Sequence, residues 1–314
     1  MKAIILTASG GTENFSMEEL PLPVLQPHEV LVKVHALSIN PVDFKTRKGG
    51  ALMESLKSSS PVILGWDVSG VIEAVGEAVS TFSMGDEVFG MVNFPGHGKA
   101  YAEYVAAPEA HLAPKPKNIS HEEGAATTLA ALTAWQVLVN EAKIQKGQRV
   151  LIHAAAGGVG HFAVQIAKYF GAEVTGTASA SNKVFLEQLG VDHFIDYKEG
   201  DLEDGVGRMD VVLDPIGGAT TEKSLKVLKK GGTLISIVGG VKDHLSPLIT
   251  EKGIEAKNYL VQSSGSDMQQ LADLLEGGFI KPHISQQFPF EQMPEAHQQM
   301  ETSKTRGKIV VTLF

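Results

Sequence analysis

The sequence predicts an α/β protein with two domains, one made of short β-strands and one built on a doubly wound parallel sheet. The chain has 314 residues, which is longer than a single hydrophobic core usually supports. Strand and turn patterns fill its first part, and strands alternate with helices from about Glu122 onward. The stretch 286–314 returns to strand character. We therefore predict a discontinuous first domain of residues 1–121 and 286–314, and a second domain of residues 122–285.

The first part of the chain shows the alternation that is typical of strands. Val30, Val32 and Val34 recur at every second residue, so their side chains would lie on one face of a sheet. Prolines such as Pro41 and Pro61 interrupt this part and exclude long helices. A barrel or sandwich of many short strands is the expected result.

The second part alternates between apolar strands and amphipathic helices. The strand Val150–His153 is followed by a helix whose apolar residues recur every three or four positions up to Phe170, and Gly171 ends it. Further strands are predicted at Val174–Thr177, Val211–Leu213 and Thr233–Ile237, and further helices at Asn182–Leu189 and Thr220–Leu228. This alternation predicts right-handed crossover connections and a parallel sheet.

Composition excludes several classes of function. Lys and Arg total 27 against 36 Asp and Glu, and the net charge of −9 disfavours binding to nucleic acid or to anionic membranes. The chain has no cysteine, which excludes disulfides, thiolate nucleophiles and cysteine-based metal sites. The apolar run Ala3–Leu6 is too short for a signal sequence, and no stretch reaches membrane-spanning length. We expect a soluble, cytoplasmic protein that acts on a small molecule.

The segment Ala155-Ala-Gly157-Gly158-Val159-Gly160 lies between a predicted strand and a predicted helix. It matches the G-x-G-x-x-G pattern with Ala155 in place of the first glycine. Gly157 would let the backbone approach a diphosphate, Gly160 would let the helix pack closely on the strand, and the helix N-terminus would offer free N–H groups. This context predicts a dinucleotide-binding site.

The residues after the next strand predict which dinucleotide binds. An NAD site would place Asp or Glu there, but this sequence has no acid before Glu187. The hydroxyls of Ser179 and Ser181 and the ammonium group of Lys183 would instead bind a 2′-phosphate, and Tyr197 follows the third strand at a place where it could join them. NADPH is therefore the predicted cofactor.

Many separated segments resemble one family. They include the run Gly147–Leu151, the glycine turn, Gly65–Val71, Gly85–Phe89, Tyr101–Tyr104, Ala131–Trp135, Asp214–Gly218 and Gly307–Val310. In this respect the chain resembles the quinone oxidoreductase/ζ-crystallin branch of the medium-chain dehydrogenase/reductase superfamily, over nearly its whole length. The resemblance implies a GroES-like β-barrel domain and a Rossmann domain, and commonly a homodimer paired through the Rossmann sheet edge, here at Thr233–Ile237 or Tyr259–Val261.

Two departures from the zinc-dependent members of that superfamily bear on the reaction. Those members carry a cysteine in the first catalytic segment and a histidine in the second. Here the first segment reads Ser38–Asp43, and Trp66 stands at the histidine position. The resemblance therefore implies a zinc-free enzyme. It would transfer hydride from NADPH to a quinone or an α,β-unsaturated carbonyl, whose added charge is delocalised without a Lewis acid.

By the same resemblance, Asn40 and Asp43 would lie at the catalytic site. Asn40 could hydrogen-bond the carbonyl of the hydride acceptor or the nicotinamide ribose. Asp43 could orient a neighbouring group or a water, and a plain turn residue after Pro41 is an alternative of similar weight. Thr128 would contact the nicotinamide end, unless its hydroxyl is satisfied by the backbone.

The ends of two further strands and a group of aromatic residues complete the predicted site. Ile216, Gly217, Val238 and Gly239 follow strands at their carboxyl ends, where parallel sheets bind ligands, and would hold the nicotinamide carboxamide. Four aromatic residues could wall a pocket for a flat substrate: Phe44, Trp66, Phe94 and Tyr101. Tyr101 and water are equal candidates for the proton donor.

Two other functions remain open at this point. The chain could be an NADPH-binding module without turnover, as the crystallin relatives suggest. It could also be a zinc-dependent alcohol dehydrogenase, although the replaced ligands weigh against a metal.

Overall fold

The computed structural model describes residues 1–58, 60–199, 202 and 206–313. Within them the chain forms two compact units. The first comprises Met1–Leu132 together with the chain from Gln262 onward, and the second is Thr133–Val261. The predicted boundaries assigned residues 122–132 and 262–285 to the second domain, whereas both segments pack in the first unit.

The described residues form both β-strands and α-helices, numbered in chain order. The strands are β1 Lys2–Leu6, β2 Phe15–Glu19, β3 Glu29–Ile39, β4 Val62–Ile63, β5 Asp67–Val75, β6 Glu87–Met91, β7 Tyr104–Pro108, β8 Leu112–Pro114, β9 Arg149–Ile152, β10 Glu173–Ala178, β11 His193–Asp196, β12 Met209–Asp214, β13 Leu228–Ser236, β14 Glu255–Asn258, β15 Ile284–Pro289 and β16 Lys308–Thr312. The α-helices are α1 Pro41–Arg47, α2 Ala51–Leu56, α3 His121–Ala126, α4 Leu129–Trp135, α5 Gly158–Tyr169, α6 Lys183–Gln188, α7 Ala219–Val227, α8 Ser246–Lys252, α9 Gly265–Glu276 and α10 Met293–Glu301.

The first unit contains two sheets. Strands β2, β1 and β4 form a small antiparallel sheet, in that order. The larger sheet has seven strands in the order β15-β16-β3-β5-β6-β8, and β7 also pairs with β3. Only the β15–β16 pair in this sheet is parallel. Because β3 pairs with β16, the last described strand belongs to the first unit.

Two helices explain where the units divide. Helix α3 packs on β3, β5 and β16, and α9 packs on β8. Both helices need a glycine at the closest approach. A Cβ atom at Gly124 would lie 2.8 Å from Ser69 Oγ, and one at Gly265 would lie 2.7 Å from the carbonyl oxygen of Ala110. These packed helices belong to the first unit, although helical patterns alone suggested the second.

The second unit is a six-stranded sheet in the order β11-β10-β9-β12-β13-β14, and every pair in it is parallel. The order runs outward from β9 in one direction and from β12 in the other, which is the doubly wound Rossmann arrangement. The predicted fold class, a GroES-like domain plus a Rossmann domain, is confirmed. In such sheets ligands bind at the carboxyl ends of the strands, where the winding reverses.

Two details differ from the sequence predictions. Helix α10 lies inside the stretch that was expected to be strand, and its buried residues Met293, His297 and Met300 recur at helical spacing. Strand β13 is paired on both sides by β12 and β14, so Thr233–Ser236 is not a sheet edge. Strand β14, just before Tyr259, is the outer strand of the described sheet.

In the described part of the chain, no helix has the length and apolar character needed to cross a membrane.

Candidate functional site

The turn between β9 and α5 brings the predicted phosphate-binding residues together. Gly157 is the N-cap of α5, and no side chain caps the helix. A Cβ atom at Gly160 would lie 2.3 Å from the carbonyl oxygen of Ala154 and 2.6 Å from Ala155 Cα. Gly160 therefore lets the helix begin against its own preceding loop. A Cβ atom at Gly157 would make one close contact, with the oxygen of Ala154 at 3.2 Å, and the rest of the space beside Gly157 is open.

Ala155 replaces the first glycine of the motif without disturbing the turn. Its side chain is fully buried, and its N–H donates to the carbonyl of Thr177 on β10 (2.9 Å). The neighbouring position on β10 is Gly176, where an added Cβ would lie 3.1 Å from Ala155 Cβ. A glycine on the adjacent strand therefore provides the room that the motif usually obtains from its own first glycine.

The N-terminus of α5 suits a diphosphate. The N–H groups of Gly158, Val159 and Gly160 have no acceptor among the described residues, since the first bond of the helix is from His161 N to Gly157 O (3.0 Å). Free N–H groups at the start of a twelve-residue helix suit the negative charge of a dinucleotide diphosphate.

The residues predicted to bind a 2′-phosphate surround the turn after β10. The Ser179 and Ser181 hydroxyls lie 3.1 Å apart, and Lys183 begins α6 with its ammonium group exposed. Lys183 Nζ lies 4.0 Å from a carboxylate oxygen of Glu187, an exposed pair that contributes little. Tyr197 follows β11, is 63% exposed, and donates its N–H to the carbonyl of Ala178 (3.3 Å).

The structure adds one carboxylate that sequence spacing did not reveal. Asp196 ends β11 opposite Ala178 in the register of the sheet. Its carboxylate accepts hydrogen bonds from the N–H groups of Ala180 (2.9 Å) and Lys198 (3.0 Å). Each of its two oxygens therefore accepts one backbone N–H, and Asp196 holds the turn that carries the Ser179 hydroxyl.

A second loop follows β12 and is held by Asp214. This fully buried carboxylate accepts from the N–H groups of Ile216 and Gly217, both at 2.9 Å, and from the Thr221 hydroxyl at 2.5 Å. Gly217 and Gly218 have φ angles of 82° and 57°, a region that favours glycine. Asp214 thus holds a loop in which Gly217 and Gly218 adopt left-handed backbone angles that other residue types disfavour.

The loop after β13 packs against the Asp214 loop. The Ser236 hydroxyl accepts from Gly240 N (2.9 Å), and a Cβ atom at Gly240 would lie 3.0 Å from Gly217 Cα. Ile216 is 54% exposed and Val238 is 40% exposed, while Gly239 follows with a φ of 71°. The two loops therefore present an exposed apolar surface at the carboxyl ends of neighbouring strands.

His153, the residue after β9, hydrogen-bonds to a neighbouring strand and to a helix. Its Nδ1 lies 3.0 Å from the Thr177 hydroxyl and its Nε2 lies 2.8 Å from the Ser224 hydroxyl. Burial lowers the pKa of His153 to about 4, although the charge of Asp214 acts in the opposite direction. The imidazole is therefore neutral near pH 7 and links β9, β10 and α7 by hydrogen bonds.

In the first unit, Asn40 lies at the centre of a buried polar cluster. Asn40 Nδ2 donates to Asp67 Oδ2 (2.7 Å), which also accepts from the Ser38 hydroxyl (2.6 Å). Lys308 Nζ donates to Asn40 Oδ1 and to the carbonyl of Ile39, and lies 3.7 Å from Asp67 Oδ2. We name Ser38, Asn40, Asp67 and Lys308 the amide cluster. Burial lowers the pKa of Lys308, and the carboxylate of Asp67 offsets part of that effect.

Asp43 lies one helical turn from Asn40 and is fully buried. Its Oδ2 accepts the backbone N–H of Asn40 (2.6 Å) at the start of α1. Burial raises the pKa of Asp43 to about 8, and the neighbouring charge of Asp67 acts in the same direction. The carboxyl group is therefore mostly protonated near pH 7. The Tyr101 hydroxyl interacts with the Asp43 carboxyl group and lies 2.8 Å from His297 Nε2.

This arrangement places Tyr101 and Thr128 in buried surroundings. Burial raises the pKa of the Tyr101 hydroxyl well above its usual value and lowers the pKa of His297 to about 3. The Thr128 hydroxyl donates to the carbonyl of Ala125 (2.8 Å), so its hydrogen-bonding needs are met by the neighbouring backbone. Tyr101 and His297 thus form a neutral hydrogen-bonded pair inside the first unit, next to the carboxyl group of Asp43.

Two of the four aromatic residues predicted to wall a pocket pack against each other in the first unit. Trp66 and Phe94 are buried and pack edge to face with their centroids 5.2 Å apart. Trp66 Nε1 donates to the carbonyl of Gly96 (2.7 Å). Phe44 is half-buried on α1, and the ammonium group of Lys48 lies 5.5 Å from its ring centroid. Trp66 and Phe94 therefore have the packing of core residues.

Sequence reasoning did not single out five residues that shape these loops and clusters. They are Asp67, Asp196, Asp214, Ser236 and Lys308. Asp67, Asp214 and Lys308 stand inside segments that resemble the family, so the signal was present without an assigned role. Asp67 and Asp196 act across strands, and the pairing of β5 with β3 and of β11 with β10 brings them to their partners.

The donor set does not suit a zinc ion. The position of the metal-binding histidine holds Trp66, whose ring nitrogen is a hydrogen-bond donor and has no lone pair to give. Among the residues that the structure describes, no group of three or more His, Asp or Glu side chains could surround a metal ion.

Comparison with known proteins supports the two-part architecture. The alcohol dehydrogenase GroES-like domain family matches residues 26–117, and the zinc-binding dehydrogenase family matches residues 189–311. The chain is 34% identical to the mitochondrial NAD(P)H oxidoreductase RTN4IP1 of Mus musculus, over 94% of this chain and 85% of the relative. It is 35% identical to the chloroplastic NADPH-dependent alkenal/one oxidoreductase of Arabidopsis thaliana, over 99% of this chain and 79% of the relative.

A solved structure agrees with both units. The quinone oxidoreductase from Coxiella burnetii superposes with a TM-score of 0.94 at 35% identity, over 100% of this chain and 99% of that one. Identity of this level over nearly the full length of both chains goes well beyond a shared glycine turn. The chain therefore belongs to the medium-chain dehydrogenase/reductase superfamily, in its quinone oxidoreductase branch.

Proposed function

We propose that the chain is a zinc-independent oxidoreductase that transfers hydride from NADPH to a quinone or to an α,β-unsaturated carbonyl compound. The observation that carries this proposal is the start of α5. There the N–H groups of Gly158, Val159 and Gly160 have no acceptor among the described residues, and the glycine at 157 has no side chain. The relatives named for NADPH-dependent alkenal/one reduction and for quinone reduction support the same reaction class.

The cofactor would be held by the second unit. Gly157, Gly158, Val159 and Gly160 would bind the diphosphate through their backbone, because a free helix N-terminus attracts negative charge. The 2′-phosphate would lie among Ser179, Ser181, Lys183 and Tyr197, with the Lys183 ammonium supplying the positive charge. The apolar surface of Ile216 and Val238 suits one face of the nicotinamide ring, and the backbone at Gly217 and Gly239 suits its carboxamide.

The reaction consumes one hydride and one proton. When bound, the reduced nicotinamide supplies the hydride, and the acceptor becomes a hydroquinone or a saturated carbonyl compound after protonation. A conjugated acceptor delocalises the added charge, so the reaction needs no Lewis acid. Among this chain's residues, Asn40 would hydrogen-bond the acceptor or the ribose, and water would deliver the proton, since Tyr101 is engaged inside the first unit.

The experiment that tests this function follows the oxidation of NADPH spectroscopically with three acceptors. A naphthoquinone and methyl vinyl ketone should both be tried, and butanone serves as the matched control because it lacks only the conjugated double bond. We expect turnover with at least one of the first two and none with butanone. Tight NADPH binding without turnover of either would favour a non-enzymatic binding module instead.

Independence from zinc is tested in the same assay. Prolonged dialysis against a strong chelator should leave the rate unchanged, because Trp66 and the cysteine-free segment Ser38–Asp43 stand where zinc-dependent members of the superfamily bind the metal. A chelator-sensitive rate that zinc restores would point to an alcohol dehydrogenase and overturn this part of the proposal.

The oligomeric state and the cellular location are also proposals. The outer strand β14 and the exposed Leu260 that follows it suit pairing with a second copy of the chain, which favours a homodimer. Equilibrium sedimentation would test it. We propose a cytoplasmic location, and the mouse and Arabidopsis relatives are named as mitochondrial and chloroplastic proteins.

A further inference from the structure

The amide of Asn40 has a chemically different neighbour at each end. Its oxygen faces the ammonium group of Lys308, and its nitrogen lies 2.7 Å from a carboxylate oxygen of Asp67. All three side chains are deeply buried, since their exposed fractions are 2%, 2% and 0% for Asn40, Lys308 and Asp67. The ammonium group of Lys308 and the carboxylate of Asp67 therefore hydrogen-bond to opposite ends of one neutral amide in a buried region.

These neighbours determine the orientation of the amide. If the group were rotated by half a turn, its NH₂ would face an ammonium group that can only donate. Its oxygen would then face a carboxylate that can only accept. Two charge-assisted hydrogen bonds would be replaced by two repulsive contacts. The orientation thus follows from the donors and acceptors themselves.

The orientation leaves one hydrogen of the amide nitrogen for a ligand. The nitrogen carries two hydrogens, and in the described part of the chain it has one acceptor, Asp67 Oδ2. The amide oxygen is engaged by Lys308. Asn40 also occupies the N-cap of α1, where the N–H of Asp43 donates to the backbone carbonyl of Asn40 (3.0 Å). The second amide hydrogen is thus left to other partners.

We propose that Lys308 and Asp67 are positioning residues that hold the Asn40 amide with one N–H available, so that Asn40 donates to an oxygen atom of the ligand. The oxygen belongs either to the carbonyl of the hydride acceptor, where negative charge develops, or to a hydroxyl of the nicotinamide ribose. This inference rests on the proposed function, because that function supplies the ligand. The charged pair itself touches no ligand and acts through Asn40.

The test removes both charges together. Lys308→Met alone would leave the Asp67 carboxylate buried without its cation, and this single variant is expected to fold poorly. The double variant Lys308→Met/Asp67→Asn removes the pair and should keep a thermal midpoint close to that of the parent. Its amide at position 40 is no longer held by charge. We expect the catalytic efficiency to fall roughly 10–100-fold, as for the loss of one charge-assisted hydrogen bond.

A coupling measurement separates positioning from a general structural effect. Asn40→Ala should lower the catalytic efficiency by a similar factor. Asp67 also accepts hydrogen bonds from the Ser38 hydroxyl (2.6 Å) and from the N–H of Leu129 (3.0 Å), and Asn at position 67 keeps one oxygen that can accept. The triple variant, with Asn40→Ala added to the double variant, should be no slower than Asn40→Ala alone, because the proposed effect of the pair on the ligand passes through Asn40. If the two losses multiply in the triple variant, or if the folded double variant keeps the parental rate and NADPH affinity, the inference is wrong.

Two further measurements complete the test. NADPH affinity, measured by fluorescence, distinguishes the two ligand oxygens: weaker binding of NADPH indicates the ribose, whereas unchanged binding with a lower kcat indicates the acceptor carbonyl. Lys115→Met is the matched control, because Lys115 is also buried and pairs with Glu87 at 3.1 Å, but lies in no proposed site. It should lower stability and leave kcat unchanged. If the parental enzyme turns over no acceptor, the proposed function fails, and the inference then stands only if the double variant and Asn40→Ala both weaken NADPH binding; unchanged affinity in either variant would overturn it.

Discussion

The glycine turn of the second unit and the amide cluster of the first unit, the two sites at which we propose that a ligand binds, are built in opposite ways. The glycine turn offers neutral backbone N–H groups to an anion, and its residues lie within six consecutive positions, 155–160. The amide cluster buries a full ion pair, and its members come from four separate positions on β3, β5, β16 and the start of α1. In the proposed function, backbone N–H groups would bind the charged diphosphate of the cofactor. In the proposed amide cluster, the charges of Lys308 and Asp67 would instead orient the neutral amide of Asn40.

The largest effect is expected from adding a single methyl group to the glycine turn. Gly160→Ala would bring Cβ to 2.3 Å from the Ala154 carbonyl oxygen, and backbone atoms cannot yield as a flexible side chain would. We expect the free energy of unfolding to fall by about 3 kcal/mol or more, with loss of NADPH binding. Chemical denaturation and fluorescence titration measure the two effects.

Gly157→Ala is the matched variant for this prediction. Its added Cβ would meet only the Ala154 oxygen, at 3.2 Å, and the φ of −80° is available to alanine. This variant should lose much less stability than Gly160→Ala, because the Ala154 oxygen needs to shift by only a small distance. It should lose NADPH affinity, because the methyl group enters the space assigned to the diphosphate. Equal affinity for NADPH in Gly157→Ala and the parent would show that the diphosphate does not bind there.

A smaller effect is expected beside the amide cluster, at the buried carboxyl group of Asp43. The pKa of Asp43 is about 8 in the folded protein and near 3.8 when unfolded. Between these values the folded chain binds a proton that the unfolded chain has released, so stability falls as pH rises. From pH 6 to pH 8 this one group should remove about 2 kcal/mol from the free energy of unfolding.

Asp43→Asn should abolish that loss, because the amide resembles the protonated carboxyl group in shape. The measurement is the difference in unfolding free energy between variant and parent across that pH range. Charged groups around Asp43 are Asp67, Lys308 and Arg47, and they are common to both proteins. A difference that stays constant with pH would mean that Asp43 is ionised throughout.

The same contrast between the two regions explains what could be predicted from the sequence. The glycine turn, the strand before it and the helix after it are adjacent in the chain, so local spacing identified them. The Lys308–Asn40 contact spans 268 positions and the Asn40–Asp67 contact spans 27, and no local pattern reports such pairs. Resemblance to a family identified Asn40, but the reason for its orientation emerged only from the structure.

Helix packing accounts for the other differences. Helical patterns placed residues 122–132 and 262–285 in the second domain, but periodicity does not say which sheet a helix covers. The close approaches of Gly124 to Ser69 and of Gly265 to Ala110 decide that question. Likewise, the amphipathic α10 lies between two strands of the same sheet, and strand character on both sides obscured its helical spacing.

The smallest effect is expected at the exposed edge of the second unit, where one charge is proposed to select NADPH over NADH. Lys183→Ala should weaken NADPH binding by about 1 kcal/mol, roughly a fivefold change in Kd, because solvent screens an exposed ammonium group. NADH affinity should be unchanged, since it lacks the 2′-phosphate. The loss for NADPH should shrink as salt concentration rises.

Lys117→Ala is the control for this variant, because Lys117 is also exposed and lies in the first unit, outside the proposed phosphate site. It should change neither affinity. Equal weakening of NADPH and NADH by Lys183→Ala would mean that Lys183 contacts a part common to both cofactors. In that case Asp196, which already holds the Ser179 turn, would be the next residue to examine, since its carboxylate is of the kind that binds a free ribose hydroxyl.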